Sequence, residues 1–271
     1  MSIPRLSGAL TTMALCWRLD RTDGVTIGFT AHDRDLTIGG VVYRASPGMV
    51  PSAIRQSDGF DVDTLDVEGA LTHDAITADD LTAGRWDGAA LTLFATDWAD
   101  PAEMRVIARG EIGDVAIRDA AFTAELRGPT ALLERPVVEQ ISPDCRARLG
   151  DRRCRVDLAP RTRFARIVSV VDAVLTLDTV EPSANAYAYG RLRWLDGGNA
   201  GLSAALLSSA GAAVALRDPA PFAIAAGARV ELLEGCDRLL ATCRTRFANA
   251  ANFRGEPYLP GIDLLTRYGT G

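Results

Sequence analysis

The sequence predicts a mainly β protein built in two parts, and three observations carry that expectation. Apolar and polar residues alternate through short runs bounded by Gly, Pro, Asn and Asp, as in strands with one wet and one buried face. Of the 271 residues, 48% are hydrophobic and 24% charged, which suits two or three small folded cores and not a disordered tail. The strand pattern stops near Pro136 and resumes only after a cysteine-bearing stretch. The expected parts are therefore residues 1–136 and 137–271, with a small β-domain at about 160–234 inserted in the second.

Taken in order, Thr11–Arg18 reads as a strand, Arg21–Gly24 as a turn with an Asp-Gly hairpin signal, and Val25–Thr30 as the returning strand. Cys16, beside Trp17, is expected as a half-buried packing residue. Asp33-Arg34-Asp35 breaks the pattern, and Leu36–Ile38 and Val41–Tyr43 flank Gly39-Gly40 in a second hairpin. Asp61–Glu68 alternates acidic and apolar side chains, as in an antiparallel sheet with one face in water. Asp74–Gly84 is the helical stretch, with Asp74 or Thr72 as its cap. Ala89–Phe94, Val106–Ile117 and Ala121–Leu126 are strands, and a short helix from Gly128 ends at Pro136. In the second part, five short strands are expected at Phe164–Val170, Val174–Leu177, Gly190–Trp194, Ala212–Leu216 and Arg229–Leu233. Strands of that length and spacing point to a small barrel or sandwich. The Gly-, Pro- and Asn-rich stretch from Asn249 onward is expected to be irregular.

Net charge is -6, against a general nucleic-acid binder. All 29 basic residues are arginine, which we read as codon bias. No apolar run approaches the roughly 20 residues of a spanning helix, so no stable membrane insertion is expected. The two histidines, His32 and His73, each stand beside an aspartate, but no nucleophile elbow accompanies them. Gly197–Gly201 lacks the Lys-Ser/Thr of a phosphate loop and reads as a turn. The acidic pairs that a cell-wall glycosidase would need fall on strand faces and turns. The chain is not expected to be an enzyme.

The cysteines carry the strongest chemical signal. Cys145 and Cys154 are separated by eight residues, Cys236 and Cys243 by six, and only Cys16 of the five cysteines lies outside this set. Four such thiols can form disulfides, hold zinc, or hold an iron–sulfur cluster. Met1–Gly8 does not resemble a signal peptide, which favours a reducing compartment and free thiols. Structural zinc ligands usually sit two to four residues apart, whereas spacers of eight and six suit wider loops around a larger object. Arg146, Arg148, Arg152, Arg153, Arg155, Arg238 and Arg244 flank the cysteines and would offset the charge of an anionic centre. If the site forms, Cys154 and Cys236 bring together the two ends of the inserted β-domain.

These cysteine pairs, with Phe247-Ala-Asn249 and Asn252–Gly261 after them, resemble the tail-tip hub family of long-tailed phages. Cys16–Leu19, Gly28–Leu36, Asp66–Leu71 and Trp194–Gly201 are similar to the same family, so the resemblance covers nearly the whole chain. It is a likeness to the hub of alphaproteobacterial gene transfer agents and related prophages, and more distantly to minor tail protein L of lambda-like phages. The resemblance implies a tail-tube-like β-barrel or sandwich in residues 1–136 and a [4Fe–4S] cluster on Cys145, Cys154, Cys236 and Cys243, with zinc as the alternative. It implies a homotrimeric structural subunit of a virion or gene transfer agent tail tip, assembled in the bacterial cytoplasm. Its partners would be the distal tail protein and the large baseplate or fibre protein, with the tape-measure protein nearby. DNA would pass through its channel without specific binding. The competing readings are a stand-alone iron–sulfur redox protein and a tail-associated cell-wall hydrolase.

Overall fold

A computed structural model describes residues 12–45, 50–51, 64–70, 76–101, 104–118, 121–128 and 138–259; for 50–51, 64–70, 114–118 and 121–126 it describes the backbone alone. The chain divides into two compact units, Met1–Val137 and Val138–Gly271.

Nine strands form one sheet in the first unit. They are β1 (Met13–Asp20), β2 (Thr26–Thr30), β3 (Leu36–Ile38), β4 (Val41–Ala45), β5 (Val50–Pro51), β6 (Thr64–Ala70), β7 (Ala90–Asp97), β8 (Met104–Arg118) and β9 (Ala121–Arg127). Their order is β3-β4-β2-β1-β7-β8-β9-β6-β5. β1 is central and covered on both sides. Trp17 and Leu19 point into a core with Phe29, Leu91, Leu93 and Trp86, while Ala14 and Cys16 point into a second core with Leu36, Ile38, Tyr43 and Phe94. Burial of both faces explains why β1 is apolar along most of its length. Cys16 is therefore fully buried, not half-buried, and donates to Thr30 Oγ1 at 3.4 Å. Loss of solvent raises its pKa.

β2 and β4 run parallel, an arrangement that local alternation does not reveal. It depends on Gly28, because a Cβ there would sit 2.7 Å from the Tyr43 ring. The helix α1 (Ala78–Thr82) starts later than expected. Thr77 caps it, its hydroxyl accepting from the Asp80 amide at 3.1 Å, and Asp79 and Asp80 in the first turn complement the helix dipole. Thr72, His73, Asp74 and the expected helix after Gly128 lie outside the described residues. Only the backbone of β6 is described, so the expected wet face of Asp66 and Glu68 is not.

In the second unit, six antiparallel strands close a barrel: β10 (Thr162–Val171), β11 (Val174–Leu177), β12 (Arg191–Trp194), β13 (Ser203–Ala210), β14 (Ala213–Leu216) and β15 (Arg229–Leu233). The closed order is β10-β11-β14-β13-β12-β15, so every strand has two partners and no edge is left open. Ile167, Leu175, Leu192, Trp194, Leu206, Val214, Val230 and Leu232 fill it. β13 is the strand that the sequence does not announce. Its run Ser-Ala-Ala-Leu-Leu-Ser-Ser-Ala is poor in β-branched and aromatic residues, and a register shift between Leu206 and Ser208 interrupts its alternation.

Barrel closure brings Arg161, just before β10, beside Glu234, just after β15. Glu234 is 4% exposed and accepts from Arg161 at 3.2 Å and from Arg246 at 2.6 Å. Arg246 also donates to the carbonyls of Ala186 and Gly235, and both guanidiniums lie over the Phe247 ring. The chain packs too closely here for side chains. A Cβ on Gly235 would lie 1.8 Å from the Ala188 carbonyl oxygen, and one on Gly190 2.3 Å from that of Leu233.

Two outcomes follow for unfolding of the second unit. Leu232→Ala, inside the barrel, is expected to lower its stability by about 3 kcal/mol, whereas Phe164→Ala on the outer wall should change it by less than about 1 kcal/mol. Glu234→Gln leaves two guanidiniums without their buried carboxylate and is expected to cost about 3 kcal/mol. Denaturant titration followed through Trp194 fluorescence measures both. Equal midpoints for Glu234→Gln and parent would remove the ion pairs from the account of the neck.

Candidate metal centre

The four cysteines lie at the neck of the barrel, Cys145, Cys154 and Cys236 on two loops and Cys243 on the short helix that follows the second. In the first loop, the Asp151 carboxylate accepts from the amides of Arg148 and Arg153 at 2.8 Å each and from that of Cys154 at 2.6 Å, folding the spacer between Cys145 and Cys154 back on itself. These hydrogen bonds hold Asp151 below the usual carboxylate pKa against the opposing effect of burial. Gly150 turns at φ 78°, and a Cβ there would run into the Leu158 side chain at 2.4 Å. In the second loop, Asp237 accepts from the Leu239 amide at 2.9 Å and the Thr242 hydroxyl at 2.6 Å. The helix α2 (Leu240–Thr245) follows and buries Cys243.

Backbone hydrogen bonds join the two loops. The Cys145 amide donates to the Arg238 carbonyl at 2.9 Å. The stretch after α2 then wraps the first loop. Arg254 donates its amide to Cys145 Sγ at 3.4 Å, and the Arg146 amide donates to the Arg254 carbonyl at 3.0 Å. Asn249 donates to the Cys154 carbonyl at 2.6 Å and lies 3.7 Å from Cys154 Sγ.

All four thiols are free; Cys154 and Cys243 are buried, and Cys145 and Cys236 are partly exposed. Burial pushes the Cys236 and Cys243 thiols up, and charge on the neighbouring cysteines pushes in the same direction. For Cys236 a hydrogen bond with the Arg238 backbone works against this. Four thiolates at this spot repel one another unless a cationic core lies among them. Among the described residues, no three His, Cys, Asp or Glu side chains gather closely enough to hold a single metal ion. The four cysteines offer an all-sulfur donor set, with backbone amides donating to Cys145 and Cys236, and such a set fits an iron–sulfur cluster chemically.

The flanking arginines differ from the sequence expectation. Arg146 grips both oxygens of Glu256 at 2.6 and 2.9 Å and also reaches Glu139 at 3.2 Å; Arg153 pairs with Glu139 as well. Hydrogen bonds from Arg146 and from the Ser142 amide hold the pKa of the Glu256 carboxyl down at about 2. These two guanidiniums tie chain segments together and are not free counter-charges. The sequence reading also missed Glu234, Asn249 and Asp151. Asp151 was the most accessible of them, since an Asp before a tight turn is a known loop-former. His32 Nδ1 accepts from the Arg34 amide at 3.1 Å and its ring lies 5.2 Å from that of Trp98, so the side chain serves the turn between β2 and β3.

The family described as baseplate hub protein, N-terminal attachment domain, matches residues 3–157. The family described as phage conserved hypothetical protein BR0599 matches residues 185–263. No curated protein matches the chain. Among solved structures, a chain from the virion of a native gene transfer agent (GTA) particle is similar over 98% of this chain and 95% of its own, at 40% identity and a TM-score of 0.86. A family match across more than half the sequence, with a structural likeness spanning both chains almost end to end, places this chain in the baseplate hub protein family of phage tails and gene transfer agents.

Proposed function

We propose that this chain is a structural subunit of the tail-tip baseplate that joins the distal tail protein to the large baseplate or fibre protein. The end-to-end likeness to a gene transfer agent virion chain carries the reading. In this proposal three copies surround the channel through which DNA passes, the tape-measure protein is a further neighbour, and the chain is not an enzyme. The first unit would supply the tail-tube-like ring. Acidic strand faces such as Asp61–Glu68 would line that channel, a negative wall along which DNA slides without sticking.

We further propose that Cys145, Cys154, Cys236 and Cys243 hold a [4Fe–4S] cluster. Support comes from the all-thiol donor set, the absence of disulfides among these residues and the amides directed at Cys145 and Cys236. The spacers of eight and six residues favour the wider cluster over zinc, whose ligands usually sit two to four residues apart. Bound there, the cluster would cross-link the two loops, and four thiolates would saturate it, which favours a structural role over catalysis.

Protein purified without oxygen is expected to be brown, with iron and acid-labile sulfide near four of each per chain. Colourless protein carrying zinc would reject the cluster. Cys145→Ser or Cys243→Ser should open residues 138–160 and 235–259 to protease while the closed barrel survives as a resistant fragment; unchanged resistance of the loops would count against a cross-link. The baseplate reading itself fails if antibodies to the chain do not label the tail tip of purified particles, or if the purified chain clears peptidoglycan.

A further inference from the structure

A cleft of about 630 Å3 opens in the second unit, lined by the loop after Cys145, by Cys236 and the loop after it, and by the start of β12, the middle of β13 and the end of β15. Its charges are not balanced. Arg148, Arg191, Arg217 and Arg238 line it, together with two acids, Glu234 and Asp237. Glu234 is committed to Arg161 and Arg246, and Asp237 to the Leu239 amide and the Thr242 hydroxyl. Arg191 and Arg217 make only exposed pairs, with Glu231 at 3.8 Å and Asp218 at 3.0 Å, and such pairs exchange partners at little cost. Arg148 and Arg238 have no side-chain partner among the described residues.

The backbone of the same cleft is held in an unfavourable conformation at two places. Tyr189 and Arg238 are left-handed at φ 60° and 64°, which costs a residue other than glycine roughly 1–2 kcal/mol each. The tight packing around Gly190 and Gly235 fixes the first of these. Tyr189 is 67% exposed and Leu207, also in the lining, 57% exposed, so an apolar side chain would find cover there.

We propose that this cleft docks an acidic peptide segment of a neighbouring protein in the particle, its carboxylates meeting Arg148, Arg191, Arg217 and Arg238 and an apolar anchor packing on Tyr189 and Leu207. The proposal rests on the baseplate reading, because the partner is a neighbour in that assembly. A peptide fits better than nucleic acid. The exposed Tyr189 and Leu207 beside the arginines give an apolar side chain cover, which a phosphate backbone does not offer. Guanidiniums also grip carboxylates in two-point fashion.

Photocross-linking in assembled particles tests it. Leu207→p-benzoylphenylalanine, irradiated in purified particles, should attach to an Asp/Glu-rich segment of another particle protein, identified by mass spectrometry. Arg148→Glu with Arg217→Glu should cut that yield roughly tenfold or more, a loss of about 1.4 kcal/mol. Arg148→Gln with Arg217→Gln should lower it in the same direction without introducing repulsion, and Arg193→Glu, outside the cleft, should leave it unchanged. A cross-link to DNA, to a second copy of this chain or to a segment without acids overturns the proposal. So does a yield indifferent to both cleft variants, or no cross-link in particles that contain the chain. Particles from which the chain is missing overturn the baseplate reading and this proposal with it.

Discussion

Glu234 sits where everything in the second unit converges. A closed barrel must return its last strand to its first, so the chain leaves β15 at the point where it entered β10. The carboxylate at that exit is 4% exposed, which would be costly for a lone charge. Arg161 at the entrance and Arg246 after α2 supply the compensating charge, and both stack on Phe247. One buried side chain thus ties the start of the barrel, its end and the segment that carries the fourth cysteine. Burial makes this junction specific, because no arrangement that separates the three segments can leave the carboxylate both dry and paired.

The cysteine loops depend on this junction more than on apolar burial. The barrel keeps a core of its own, filled from every strand. The loops at 145–154 and 236–243 contribute no cluster of that kind. Carboxylates accepting backbone amides organise them instead: Asp151 in the first and Asp237 in the second. Hydrogen bonds of this type fix geometry well but each adds little net stability. A metal centre across the two loops would therefore add most where the protein alone supplies least.

How far the sequence could be read follows from which interactions are local. β1, β2, β7 and β15 were legible because alternation and turn residues are properties of neighbours in the chain. The cysteine pairs were legible because their residue type is rare and their chemistry narrow. The parallel pairing of β2 with β4 was not, since it rests on Gly28 leaving room for a ring fifteen residues away. β13 was missed because tertiary closure, not propensity, makes Ser203–Ala210 a strand. α2 was missed because its six residues are too few to display a helical period. At the site, the thiols were found and their supports were not. Asn249 reaches back ninety-five residues to Cys154, and Glu256 reaches Arg146 across one hundred and ten.

The lack of lysine deserves a physical reading beyond codon usage. An ammonium is a point charge, whereas a guanidinium offers a planar fork of donors and a flat face. The fold uses both properties. Arg18 engages both oxygens of Asp20, and Arg146 both oxygens of Glu256 while still reaching Glu139. Arg246 donates to Glu234 and to two backbone carbonyls while its face lies on Phe247. A lysine at position 246 would hold one of these partners and release the others, and the buried carboxylate would lose its geometry with its partner's shape. A compositional bias that says nothing of function on its own is thus built into the neck, where charge, planarity and reach are needed together.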